Sequence, residues 1–181
     1  MAVFHLFGLP DALTREVRDT GLSPGYGHPV VRETAQGTGP CRACLEQFEI
    51  GKEERLLFTY RPPSRDGMLG APGPVFIHAR DCRQYRGTAF PPGLLSLPLL
   101  VEAWASGNRI HSARQATGPD VERIVREFLQ DPQTAYLHVR HGEAGCHIAS
   151  VERGPLPATR RSYDPRKTKK TAPQRQRAAQ R

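Results

Sequence analysis

Leu99-Leu-Val-Glu-Ala-Trp104 and Arg109-Ile-His-Ser-Ala-Arg-Gln115 flank the small polar turn Ser106-Gly107-Asn108, and directly after them Val121, Ile124, Val125, Phe128 and Leu129 recur at helical spacing. The first two segments read as a strand hairpin across a turn that tolerates unusual backbone angles. The third reads as one face of an amphipathic helix. It is introduced by the cap-like Thr117-Gly-Pro-Asp120 and ended by Asp131-Pro132. A second hairpin follows, Thr134-Ala-Tyr-Leu-His-Val-Arg140 paired with Cys146-His-Ile-Ala-Ser-Val-Glu152 across His141-Gly-Glu-Ala-Gly145.

Working outward, residues 3–9 alternate as a strand, and Leu13 and Val17 lie four apart in a short helix that Gly21 stops. Residues 20–40 are a Gly- and Pro-rich loop with an edge strand in Pro29-Val-Val-Arg-Glu-Thr34. Residues 55–60 and Val75-Phe-Ile-His78 read as two strands of a hairpin whose long loop, Pro62 to Pro74, is punctuated by Pro and Gly. Neighbouring strands are joined by turns and not by crossover helices. The expectation is therefore an α+β domain over residues 1–153, a largely antiparallel sheet of strand hairpins with one or two short helices.

The chain has 181 residues, a length suited to one domain with a proper core. Its net charge of +8 is unevenly placed. Residues 160–181 hold nine of the 26 Lys and Arg and one of the 18 Asp and Glu, so residues 1–159 carry equal numbers of each sign. With no large apolar residue after Tyr163, residues 154–181 read as a disordered basic tail. Arg160, Arg161, Arg166, Lys167, Lys169 and Lys170 are its candidates for weak, sequence-blind contact with nucleic-acid phosphates. A solvated tail with no such role is the alternative.

The start of the chain lacks the basic and apolar pattern of a signal peptide, and no run has the length of a membrane span. A cytoplasmic location is expected. In that compartment four cysteines favour thiols, metal ligands or redox groups over structural disulfides.

Pro40-Cys-Arg-Ala-Cys-Leu45, Pro74-Val-Phe-Ile-His-Ala79, and Ala135-Tyr-Leu-His-Val-Arg140 with Gly145-Cys146 together resemble the bacterial domain-of-unknown-function 1203 family over roughly residues 3–153. The resemblance implies a compact bacterial domain with strand pairs around a short helix, and it names no activity. It also implies that Cys41 and Cys146 have counterparts in many members, whereas Cys44, His78 and Cys82 belong to a subgroup. His141 stands where the family commonly has asparagine.

Three chemistries remain open from the residues. Cys41 and Cys44 have the spacing that brings two thiolates from one tight turn to a single zinc ion, with His78 and Cys82 as the second pair. The same Cys41-Arg-Ala-Cys44 admits an intramolecular disulfide, with Arg42 stabilising a thiolate. His138 and Arg140 share a strand face beside Cys146, the components of a thiol nucleophile, a base and an oxyanion partner. Against these stand buried cysteines acting as small hydrophobes and a hydrogen-bonded histidine. The expectation carried forward is an uncharacterised, non-catalytic domain in which zinc is the candidate cofactor.

Overall fold

In the computed structural model, which describes residues 3–63 and 70–154, the chain forms two antiparallel sheets and three short helices. The elements in order are β1 (Phe4–Phe7), α1 (Asp11–Thr20), β2 (Val31–Thr34), β3 (Glu54–Tyr60), β4 (Gly73–His78) and β5 (Arg86–Gly87). Then come α2 (Pro92–Leu95), β6 (Leu99–Ala105), β7 (Arg109–Ala116), α3 (Asp120–Gln130), β8 (Tyr136–His141) and β9 (His147–Arg153).

The expected hairpins β3–β4, β6–β7 and β8–β9 all form, and the edge strand at 29–34 is β2. The sheet, however, is divided in two. One has the order β5-β1-β9-β8-β6-β7 and the other β2-β3-β4. Turn signals report which neighbours pair locally, whereas the pairing of β1 with β9 closes almost the whole length of the chain and leaves no local signature. The elements β5 and α2 are also additions, both too short to carry a period. Thr117 makes no cap for α3; Pro119 occupies the N-cap with no side-chain hydrogen bond.

Each sheet has its own core. Val121, Ile124, Val125, Phe128 and Leu129 of α3 are all buried on Leu99, Val101, Leu137, Val139 and Val151 of the six-stranded sheet. Full burial of such side chains stabilises by about 2 kcal/mol each before chain entropy is subtracted. Leu13 and Val17 of α1 join Leu56, Phe58, Val75 and Ile77 of the smaller sheet. That cluster also contains Cys41 and Ala43, so the cysteine turn is built into the second core.

The other face of the six-stranded sheet is polar and aromatic. Register places Phe7, Ser150, His138 and Glu102 in one row, and Trp104 opposite Tyr136 in the next. Glu102, Trp104, Tyr136, His138, Arg140 and His147 are nevertheless all buried.

Among the described residues no helix is long and apolar enough to cross a membrane. The basic tail expected at 154–181, with all six of its candidate phosphate-binding residues, lies outside the described residues beyond Gly154.

Candidate metal centre

The loop before β3 closes on itself at Pro40 and Gln47 and turns through two backbone bonds. The N–H of Cys41 donates to the Glu46 carbonyl at 2.8 Å, and that of Leu45 to the Cys41 carbonyl at 2.8 Å. To complete the turn Leu45 adopts φ +62°, the left-handed region that side chains avoid. The result presents both sulfurs from one tight knuckle. The Cys44 N–H bonds the Cys41 sulfur and the Glu46 N–H bonds the Cys44 sulfur, donors that favour the ionised thiolate forms.

The second pair comes from the end of β4. Antiparallel pairing carries β4 to its last residue, where His78 lies opposite Arg55 and its own N–H donates to Cys41 Sγ at 3.3 Å. A short turn then returns Cys82. Cys41 Sγ and Cys82 Sγ are 3.7 Å apart, and Cys44 Sγ is 3.5 Å from His78 Nδ1. All four donor atoms lie within 4.8 Å of one another. For zinc–sulfur bonds near 2.3 Å and zinc–nitrogen bonds near 2.0 Å, tetrahedral angles require sulfur–sulfur edges of about 3.8 Å and sulfur–nitrogen edges of about 3.5 Å. Two edges of the cluster already have those lengths.

Outer contacts orient the donors. Glu53 Oε2 accepts from His78 Nε2 at 3.2 Å, which leaves Nδ1 as the nitrogen turned to the sulfurs. A carboxylate behind the imidazole is the usual means of fixing a metal-bound histidine. Arg80 donates to the other oxygen of Glu53 at 3.0 Å. Arg18 of α1 donates to Cys82 Sγ at 3.3 Å and to the His78 carbonyl at 3.1 Å, and Phe48 meets the imidazole edge-on at 4.6 Å.

The charges follow from these contacts. Burial opposes ionisation of Cys41, but hydrogen bonds with Cys44, Cys82 and His78 outweigh it and hold the thiol far below its ordinary range. Its hydrogen bond with Cys41 pushes Cys44 the other way, upward, with a further contribution from Cys82. Burial disfavours the charged form of His78, yet hydrogen bonds with Cys41 and Cys82 and the Cys41 charge push it up to about 10. Without metal these shifts favour the thiolate at Cys41, the charged imidazole at His78 and the protonated thiol at Cys44. None of the four cysteines is in a disulfide.

One contributor escaped the sequence reading, and another has a different role from the one expected of it. Glu53 has no motif, although the expected β3–β4 hairpin would have placed a residue just before β3 beside the end of β4. Arg42, expected to stabilise a thiolate of the knuckle, instead turns its guanidinium away from the cluster and is buried. It donates to the Pro40 carbonyl at 2.6 Å, to the His147 carbonyl at 2.8 Å and to Cys146 Sγ at 3.2 Å. Burial lowers the pKa of this guanidinium, and the Cys146 sulfur works in the opposite sense.

The other nucleophile candidates lie on the polar face of the six-stranded sheet. Arg140 donates to Glu102 Oε2 at 2.8 Å and to the Gly145 carbonyl at 3.1 Å, while Trp104 Nε1 meets the same Glu102 oxygen at 3.2 Å. His138 packs edge-on against His147 at 5.0 Å and tilted against both rings of the stacked Trp104–Tyr136 pair. Arg42, not Arg140, is the cation on Cys146.

Residues 38–153 match the family described as a protein of unknown function, DUF1203. No curated protein and no solved structure matches the chain. The matched segment covers more than half of the sequence and contains the knuckle, His78, Cys82 and all of β3 to β9, so the chain belongs to the DUF1203 family; β1, α1 and β2 precede it.

Proposed function

We propose that this DUF1203 chain is a structural zinc domain in which Cys41, Cys44, His78 and Cys82 hold one ion and thereby fasten the cysteine knuckle to the end of β4. The observation that carries the reading is the convergence of three sulfurs and one imidazole nitrogen within 4.8 Å. Four protein ligands leave no open coordination position, which is the pattern of a structural site and not a hydrolytic one. The donor chemistry fits as well, since soft thiolates with one imidazole favour zinc over calcium or magnesium.

The knuckle is well placed to act as a staple. Its backbone joins both halves of the fold: the Arg42 N–H donates to Phe76 of β4, and the Arg42 carbonyl accepts from Leu9 just beyond β1. Metal content per chain, measured by mass spectrometry on purified protein before and after chelation, tests the reading. About one zinc per chain, with a fall in melting temperature on removal, is the expected result. A protein that is fully stable and takes up no zinc, cobalt or iron would refute it.

A further inference from the structure

Between the two cysteines of the knuckle sits the residue that reaches farthest from it. Arg42 is 4% exposed and engages every part of its neighbourhood: Phe76 and Leu9 through its backbone, Pro40, His147 and Cys146 through its guanidinium. Two of those side-chain contacts, 104 and 105 residues away in sequence, belong to the β8–β9 turn of the other sheet. At one end of that turn Gly142 is tied down independently, its N–H to the Pro98 carbonyl at 2.7 Å and its carbonyl to Gln115 Nε2 at 2.8 Å, whereas the Cys146 end is otherwise held by local bonds, His141 N–H to the Cys146 carbonyl at 2.9 Å and Gly145 N–H to the His141 carbonyl at 2.8 Å. Arg42 therefore fixes the place where Cys146 and His147 enter the buried polar face.

A buried guanidinium is costly unless all its donors are used in fixed directions. Its direction here is set by the backbone of the residue between two metal ligands. If the knuckle opens, the flanking cysteines no longer hold that backbone, and the guanidinium has water available as an alternative partner.

We propose that metal occupancy of the knuckle is transmitted through Arg42 to the β8–β9 turn, so that the cluster of Cys146, His147 and His138 is set in its buried geometry only in the metal-loaded chain. This rests on the zinc reading above and extends it to regulation. The ion controls the polar face of a sheet that supplies none of its ligands, and Arg42 is the positioning residue that couples the two.

Hydrogen exchange read by mass spectrometry on the full chain tests the coupling, with peptides covering residues 136–153 followed in zinc-loaded protein, in chelated protein and in zinc-loaded Arg42→Ala. Loss of the Arg42 contacts should speed exchange at residues 141–148 by roughly tenfold or more, in the chelated wild type and in Arg42→Ala alike. Arg42→Ala should still bind one zinc. Arg42→Lys, which keeps the charge but lacks the forked donors, should fall between the two and serves where the alanine variant does not fold. Bound zinc whose removal loosens residues 40–46 and 76–82 but leaves 141–148 unchanged would overturn the coupling and spare the zinc reading. Failure to take up metal at all would overturn both.

Discussion

His78 is gripped on both ring nitrogens, with Nε2 3.2 Å from the Glu53 carboxylate and Nδ1 3.5 Å from Cys44 Sγ. The carboxylate selects the tautomer and keeps the imidazole aimed at the sulfurs. Glu53→Gln should therefore retain the fold but weaken zinc affinity by about 10- to 100-fold. Competition against a coloured chelator measures it, and affinity equal to wild type would show that Glu53 does not orient the ligand.

Cys44→Ser leaves three strong donors and a weak fourth. Its melting temperature should drop to that of the chelated wild type and no longer respond to chelator, because binding free energy in such a site is folding free energy. Cys146→Ser, by contrast, should still bind one zinc. Calorimetric melts of both proteins with and without chelator separate the two cases.

The pH dependence changes sign with metal. In the metal-free chain the folded His78 titrates near 10, above the unfolded value of about 6.5. Its contribution to stability is then complete below the unfolded value and is lost as pH rises toward 10. Zinc requires neutral imidazole and thiolates, so its affinity should instead rise with pH over that window, with protons released from His78 and Cys44. Titration calorimetry in buffers of different ionisation enthalpy reads the proton count directly; a value of zero at pH 7 would contradict this charge assignment.

Gly8 follows β1 where the knuckle backbone touches it, and a Cβ there would meet the Ala43 carbonyl at far less than contact distance. It would also crowd the Arg42 carbonyl, and since both groups are backbone neither can rotate away. Gly8→Ala should cost about 3 kcal/mol or more in urea unfolding, the upper end of overpacking penalties.

Glu102 and Arg140 form a pair 2.8 Å apart, with both side chains about 10% exposed or less. Arg140→Met would strand the carboxylate and should destabilise by about 3–5 kcal/mol, whereas adding Glu102→Gln should recover part of that loss. Denaturant midpoints of the single and double variants give the coupling. Independent effects would mean that the pair does not act as a unit.

The sequence disclosed the elements better than their assembly. The strand-turn-strand runs at 99–115 and 134–152 and the 3.6-residue stripe from Val121 to Leu129 are local patterns, and local patterns survive into the fold. The splitting of the strands into two sheets, and the neighbourhood of β1 and β9, depend on contacts across the whole chain. The same division holds at the site. Cys41 and Cys44 announce themselves by spacing, and the His78 and Cys82 pair was legible as the end of a strand. Glu53 was not, and Arg42 was read only as a partner for a knuckle thiolate, because an outer carboxylate and a bridging guanidinium are defined by where they reach and not by their neighbours in sequence.

The place of β9 in the order β5-β1-β9-β8-β6-β7 bears on how the molecule comes into being. The knuckle and its β4 partner are complete once residue 82 has been synthesised, whereas β1 has no long neighbour until residues 150–153 arrive to pair with it. On the ribosome the smaller sheet can close early, while β1 waits through most of translation with Phe4 and Leu6 uncovered. A stalled or shortened product lacking β9 would expose that strand and the seam beside β8, and would be a substrate for chaperones and proteases rather than a smaller working protein.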